Sequence, residues 1–276
     1  ADLWSYVRLD IVQPTDAAVV PVAQETLTTM IRVLGATHPH VHMILEACVD
    51  DVRDVHARRA SDAMLVLACL VRAGPDTRAT ATQRVLPVLT REASPRPWAL
   101  LATYLDMLSG TSTPLDREAL LALLTSEAAV SSVHGMRGLV ALVRVPHSMH
   151  ADDAARAAHV WQGAVLSADD DIRTCALEGL EAIRDAHPAL IEARTVPHLL
   201  HHLPTHIEAP PLRVRVILCA LARLCTTPAL FPLFSQRVWD TLEAMGACEA
   251  DAAHVGYVCA MIVALHVAME EQVSAG

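Results

Sequence analysis

Lysine is absent from the 276 residues; all 21 basic side chains are arginine, against 31 acidic ones, for a formal net charge of −10. A field of that sign opposes phosphate backbones, so direct nucleic-acid binding is not expected without a local arginine stripe. Aromatic residues make up 3% of the chain and glycines number ten. That composition leaves little for sheets or base-stacking platforms, and no glycine-rich phosphate loop is present. The seven cysteines (Cys48, Cys69, Cys175, Cys219, Cys225, Cys248 and Cys259) are odd in number and contain no C-x-x-C pair. Such spacing argues against a disulfide framework and against a zinc knuckle. Most fall on apolar helical faces, where a free thiol acts as a small hydrophobe in a reducing compartment. The most apolar stretch, Val255 to Met269, contains His266 and is shorter than the ~20 residues that span a bilayer, so no membrane association is expected. No charged n-region precedes a long apolar run near Ala1, and no signal peptide is expected.

What the chain does have is helix-packing material: 53% of it is hydrophobic, chiefly Ala, Leu and Val. The stretch from Leu166 to Pro204 shows how it is used. Asp169, Asp170 and Asp171 stand where a helix begins, placed to cap free N–H groups and to favour the positive end of the dipole. Ile172, Ala176, Leu180 and Ile183 then share one face, and Thr174, Glu178, Glu181 and Asp185 the other. The helix stops at His187-Pro188. A second helix carries Val196, Leu199, Leu200 and Leu203 and ends near Pro204. A pair this small cannot bury both its faces alone and needs neighbours of its own kind.

Similar pairs recur along the chain. Leu3 to Val12 is helical and halts at Gln13-Pro14. A long helix from Asp16 to about Leu34 turns Leu27, Met30, Ile31 and Leu34 inward and stops at Gly35. Pro39 opens a helix with the stripe Val41, Ile44, Leu45, Cys48, Val52 and Val55. Its partner from about Arg58 carries Ala60, Ala63, Met64, Leu67, Leu70 and Val71 and ends at Gly74-Pro75. Further pairs span about Thr77 to Glu92 with Pro97 to Leu108, and Leu115 to Ser126 with Val130 to Val143. Pro87, Pro197 and Pro232 each follow an apolar residue midway through the first helix of a pair. Second helices start near residues 16, 58, 97, 129, 169, 211 and 251, at intervals of about 42, 39, 32, 40, 42 and 40 residues. Intervals of ~40 residues with two helices each are the mark of HEAT arrays. The expected fold is all-α, an α-solenoid of about seven HEAT-like pairs running over residues 1–276 as one continuous segment. The last helix is apolar on several sides, with Val255, Val258, Ile262, Leu265 and Met269 on one, so further repeats or a partner are expected to cover it.

Chemistry-bearing residues are few. His198, His201, His202 and His206 include the i, i+3 and i, i+4 spacings at which imidazoles share an ion, yet Pro204 breaks the register and no third ligand type stands nearby. They are expected to be exposed, as are His38, His40 and His42 around Pro39. Asp50, Asp51 and Asp54 lie on one helix face, where a solvated polar surface accounts for them. Gly135 and Gly138 fall inside a helix and are expected to be packing contacts. No nucleophile or metalloprotease motif occurs, so no catalytic residue, cofactor or metal is expected. Arg58, Arg59, Asp62, Arg137, Arg213 and Arg215 lie on second helices and are the candidate lining of a partner-binding wall.

Several phrases in order resemble the middle of the MMS-nineteen family. They are Leu3-Trp4-Ser5-Tyr6-Val7-Arg8, then Glu25-Thr26-Leu27 with Ile31, Ile44-Leu45-Glu46-Ala47-Cys48, and Arg84-Val85-Leu86-Pro87-Val88-Leu89. Ile172-Arg173-Thr174-Cys175-Ala176-Leu177-Glu178 with Val196-Pro197-His198-Leu199 continues the likeness, which fades after about Pro204. The resemblance implies a non-catalytic HEAT adaptor of cytosolic iron–sulfur protein assembly. Its implied partners are assembly proteins and apo-proteins such as DNA helicases of repair, replication and transcription, in cytoplasm and nucleus. The cysteines lack cluster spacing, so the chain itself is not expected to ligate iron–sulfur. A general HEAT scaffold for nuclear transport, a phosphatase or chromosomes is the alternative.

Overall fold

The computed structural model describes residues 18–53, 57–91, 97–145 and 149–202, with residues 216, 217, 220, 221, 223 and 224. Among the described residues every regular element is helical. The chain is therefore all-α, built as a helical repeat, and it divides into two compact units, residues 1–148 and 149–276.

In the first unit, α1 (Val19–Leu34) ends on Gly35, whose φ of +83° suits a residue without Cβ and whose N–H donates to the Ile31 carbonyl at 2.9 Å. α2 (Pro39–Arg53) buries Val41, Ile44, Leu45, Cys48, Val49 and Val52, the stripe its spacing predicts as far as it is described. α3 (Ala57–Ala73) is apolar around most of its circumference. Ala60, Ala63, Met64, Val66, Leu67, Cys69, Leu70 and Val71 are all buried there, and α1, α2, α4 and α5 all pack against it. α4 (Pro75–Leu89) starts on proline and contains Pro87, which has no N–H to return to the Gln83 carbonyl. α5 (Trp98–Leu108) follows, and its buried Tyr104 hydroxyl meets that of Thr82 on α4 at 3.2 Å.

α6 (Arg117–Leu124) is capped by Asp116, which accepts from the Ala119 N–H. A single helical turn, α7 (Glu127–Val130), occupies the expected turn before α8 (Val133–Arg144). Close approach needs glycine here. A Cβ at Gly135 would lie 2.2 Å from the Ala129 carbonyl oxygen, and one at Gly138 would meet Leu124 at 3.0 Å. Both are packing contacts. Successive second helices α1, α3, α5 and α8 pack side by side as one layer, while α2 packs on α4 behind them.

Arginines from neighbouring helices complete the C-terminal end of α3. Arg32 of α1 donates to the Ala73 carbonyl at 3.2 Å, and Arg78 of α4 donates to the Val71 carbonyl at 3.1 Å. Thr28 of α1 lies beside the Cys69 thiol. The contacts 28 to 69 and 32 to 73 set α1 and α3 parallel, about one ~40-residue repeat apart.

In the second unit, α9 (Ala151–Ala164) packs on α10 (Asp170–Ala186). Asp169 is the N-cap, accepting from the Asp171 and Ile172 N–H groups. Asp170 and Asp171 occupy the first turn, and Asp170 pairs with Arg173. The indole of Trp161 is fully buried against Gly179, where a Cβ would lie 2.4 Å from the ring. Its Nε1 has no hydrogen-bond partner among the described residues. α11 (Pro188–Leu190), a π-helical segment (Ile191–Thr195) and α12 (Val196–His201) follow end to end. The π turn ends at Thr195, two residues before Pro197, which has no N–H for the Ala193 carbonyl. Gln162 Nε2 donates to Thr195 Oγ1 at 3.0 Å, tying this segment to α9. Arg223 donates through Nε and Nη2 to both oxygens of Glu181, each at 2.7 Å.

Two expected faces shift. On α1 the inward residues are Leu27, Thr28 and Ile31, while Met30 and Leu34 are 42% and 37% exposed. Thr28 holds an inward place because its hydroxyl is satisfied by the Gln24 carbonyl at 2.7 Å. On α10 the buried arc extends to Cys175, Leu177 and Gly179, and Ile172 is only half-buried. Packing on both α9 and the π segment widens the arc beyond a single stripe. Leu203, Val55 and the expected helices 3–12 and 255–269 lie outside the described residues.

Two consequences can be measured. Alanine in place of helical glycine ordinarily gains about 1 kcal/mol of propensity. At Gly135 and Gly179 steric overlap dominates, and Gly135→Ala and Gly179→Ala should each cost about 1–3 kcal/mol in urea unfolding. A stabilised variant would contradict the packing. Tyr104→Phe should cost about 1–3 kcal/mol by stranding Thr82, and adding Thr82→Val should restore part of it in a double-mutant cycle.

Candidate functional site

The layer of second helices provides the site. α3, α5 and α8 press on their layer neighbours and on first helices behind, and α1 presses on α3, which leaves one stripe of each facing solvent. On α1 that stripe includes Val22, Met30 and Val33, exposed by 67%, 42% and 80%. On α3 it includes Ser61, Leu65 and Arg72, on α5 Ala99, Thr103 and Asp106, and on α8 His134, Arg137 and Arg144. The built Cβ of Gly138 lies 3.8 Å from the Ala102 Cα, so Thr103 and Arg137, one residue from each, stand within about one helical turn of each other along the layer.

Of the candidates taken from sequence, Arg59 and Arg137 are exposed on this layer and Asp62 is half-buried. The Arg58 side chain, Arg213 and Arg215 lie outside the described residues. The apolar members Val22, Val33 and Leu65 were not among the expected lining. Their signal was present: α3 carries apolar residues on every side, and one side of a layer helix must face water.

The other clusters take ordinary forms. His198 and His202 stack edge to face with ring centroids 4.6 Å apart, and His201 and His202 are 5.9 Å apart. Partial burial, then the neighbouring His202, His159 and His201, hold the His198 imidazolium below the usual histidine range. His201 is exposed and the other two are half-exposed, while His206 lies outside the described residues. Among the described residues no three His, Cys, Asp or Glu side chains are placed to hold a metal ion. His38 and His40 have ring centroids 5.3 Å apart, and His42 stands 4.0 Å from Glu46. Asp50 pairs with Arg53 at 3.3 Å, an exposed contact worth little; Asp54 is not described.

Cys48, Cys69 and Cys175 are buried and none is in a disulfide. Burial pushes Cys48 well up, with Asp51 and Cys69 adding to it, and raises Cys69 against weaker opposing contacts from Thr28 and Arg72. An open groove of about 480 Å³ between α4 and the segment leading into α6 is lined by Thr80, Gln83, Pro87, Pro114, Leu115 and Asp116. No described helix is long and apolar enough to cross a membrane.

The raised thiols imply slow chemistry. Peptide mapping after alkylation at pH 8 should find Cys48 and Cys69 unmodified in the native chain and modified in denaturant. Rapid native labelling would mean that α2 and α3 do not bury them. In comparisons with known proteins, no family model and no curated protein matches this chain.

Proposed function

We propose that the chain is a non-catalytic scaffold that binds other proteins on the solvent face of its second-helix layer. One observation carries this reading: four parallel stripes from α1, α3, α5 and α8 form a single surface on which apolar side chains as large as Val22, Val33 and Leu65 stand in water. Exposed apolar surface of that kind is what a protein interface buries. The charged members named from sequence, Arg59, Asp62 and Arg137, share that layer.

The sequence phrases that resemble the MMS-nineteen family narrow the proposal to an adaptor of cytosolic iron–sulfur protein assembly, working in cytoplasm and nucleus. Its partners would be assembly proteins and apo-proteins such as DNA helicases, without direct nucleic-acid or membrane binding. The order of the helical pairs fits an adaptor and equally a general HEAT scaffold. Affinity purification of the tagged chain discriminates them by mass spectrometry. Iron–sulfur assembly proteins and iron–sulfur helicases are expected in the eluate. A small GTPase of nuclear transport or a phosphatase catalytic subunit in their place would sink the adaptor reading and leave the scaffold. An eluate with no stoichiometric protein would remove both.

A further inference from the structure

Across the described helices α1, α3, α5 and α8 the solvent face of the layer changes character. α1 presents Val22, Met30 and Val33, and α3 adds Leu65 at 41% exposure. The register of 28 with 69 places Leu65 at the height of the first turns of α1, near Val22. On α8 Arg137 is an exposed cation, and no Asp or Glu occurs in that helix. Between α3 and α8, α5 offers the small Ala99 and Thr103, with Asp106 one turn away, and Asp62 on α3 is half-buried. An exposed guanidinium on a helix without carboxylates, in a chain of net charge −10, is complementary to a carboxylate and disfavours basic ligands.

From these positions we infer that the layer binds a short, extended, acidic-aliphatic segment of a partner protein, laid across the helices from Val22 and Leu65 to Arg137. The inference rests on the scaffold reading and specifies its partner chemistry. Aliphatic side chains cover Val22 and Leu65, the segment's backbone passes over Ala99 and Thr103, and a carboxylate meets the Arg137 guanidinium, which suits bidentate pairing. Packed helices lie about 8–10 Å apart. Two such steps separate Leu65 from Arg137, so the aliphatic and acidic positions stand about five or six residues apart in an extended chain.

Panning a random peptide library of about 12 residues, long enough to cross all four helices, against the full chain tests this. The expected consensus has one or two aliphatic residues and an Asp or Glu about five or six positions away. Binding of the selected peptide should weaken about tenfold or more in Leu65→Asp and in Arg137→Glu. Met43→Asp, on the helix behind the layer and 39% exposed, should leave it unchanged. All three substitutions are at exposed positions, and thermal melts confirm that each variant folds. A consensus without an acidic residue, binding indifferent to Leu65→Asp and Arg137→Glu, or no enrichment overturns the inference. If protein partners still purify with the chain, the failure lies in the surface assignment; if none does, the scaffold reading fails with it.

Discussion

The burial of α3 is the constraint on which the first unit depends. Each fully buried Leu, Val or Met is worth about 1.5–3 kcal/mol, and α3 buries Met64, Val66, Leu67, Leu70 and Val71 together. No single neighbour can cover a helix apolar on so many sides. Four helices do so jointly, and their places follow: α1 and α5 beside α3 in its layer, α2 and α4 behind. Surface ion pairs such as Arg84 with Glu46, at 2.6 Å, contribute at most about 1 kcal/mol each. Packing sets the arrangement, and the ion pairs decorate it.

Helix positions were legible in sequence because punctuation and period agreed. Gly35, Gly74-Pro75 and His187-Pro188 stop helices where turn chemistry requires, and Asp169 caps α10 as its side chain allows. The layer of second helices also follows from the ~40-residue spacing, since the starts near 16, 58, 97 and 129 correspond to α1, α3, α5 and α8. Less was legible where tertiary contact overrides local pattern. Met30 and Leu34 fit an inward stripe by period alone, yet Thr28 takes the inward place beside Cys69. Gly135 and Gly138 read from sequence as packing contacts, and the structure supplies their partners, the Ala129 backbone and the Leu124 side chain, whereas the close approach of Gly179 to the Trp161 indole had no signal in sequence.

The candidate surface divides the same way. Arg59 and Arg137 were readable as exposed, because charge in a helix layer must reach water, while Asp62 is half-buried. The exposed apolar side chains were not, since a valine or leucine in sequence signals burial until the layer geometry assigns its side. Function in such a fold is carried by what the layer leaves uncovered. The helices that make the core also display the stripes a partner would meet, so a change that rotates one helix alters both.

The arginine contacts at the end of α3 bind neighbouring repeats in a further sense. The carbonyls of Val71 and Ala73 receive donors from the repeat after and the repeat before. A pair in isolation therefore has frayed ends as well as an uncovered face. Each repeat gains from the presence of the next, as in a chain of coupled spins with a penalty at every boundary between ordered and disordered segments. Within the unit, order is least costly to lose at a helix that lacks a neighbour and most costly at α3, which four helices cover.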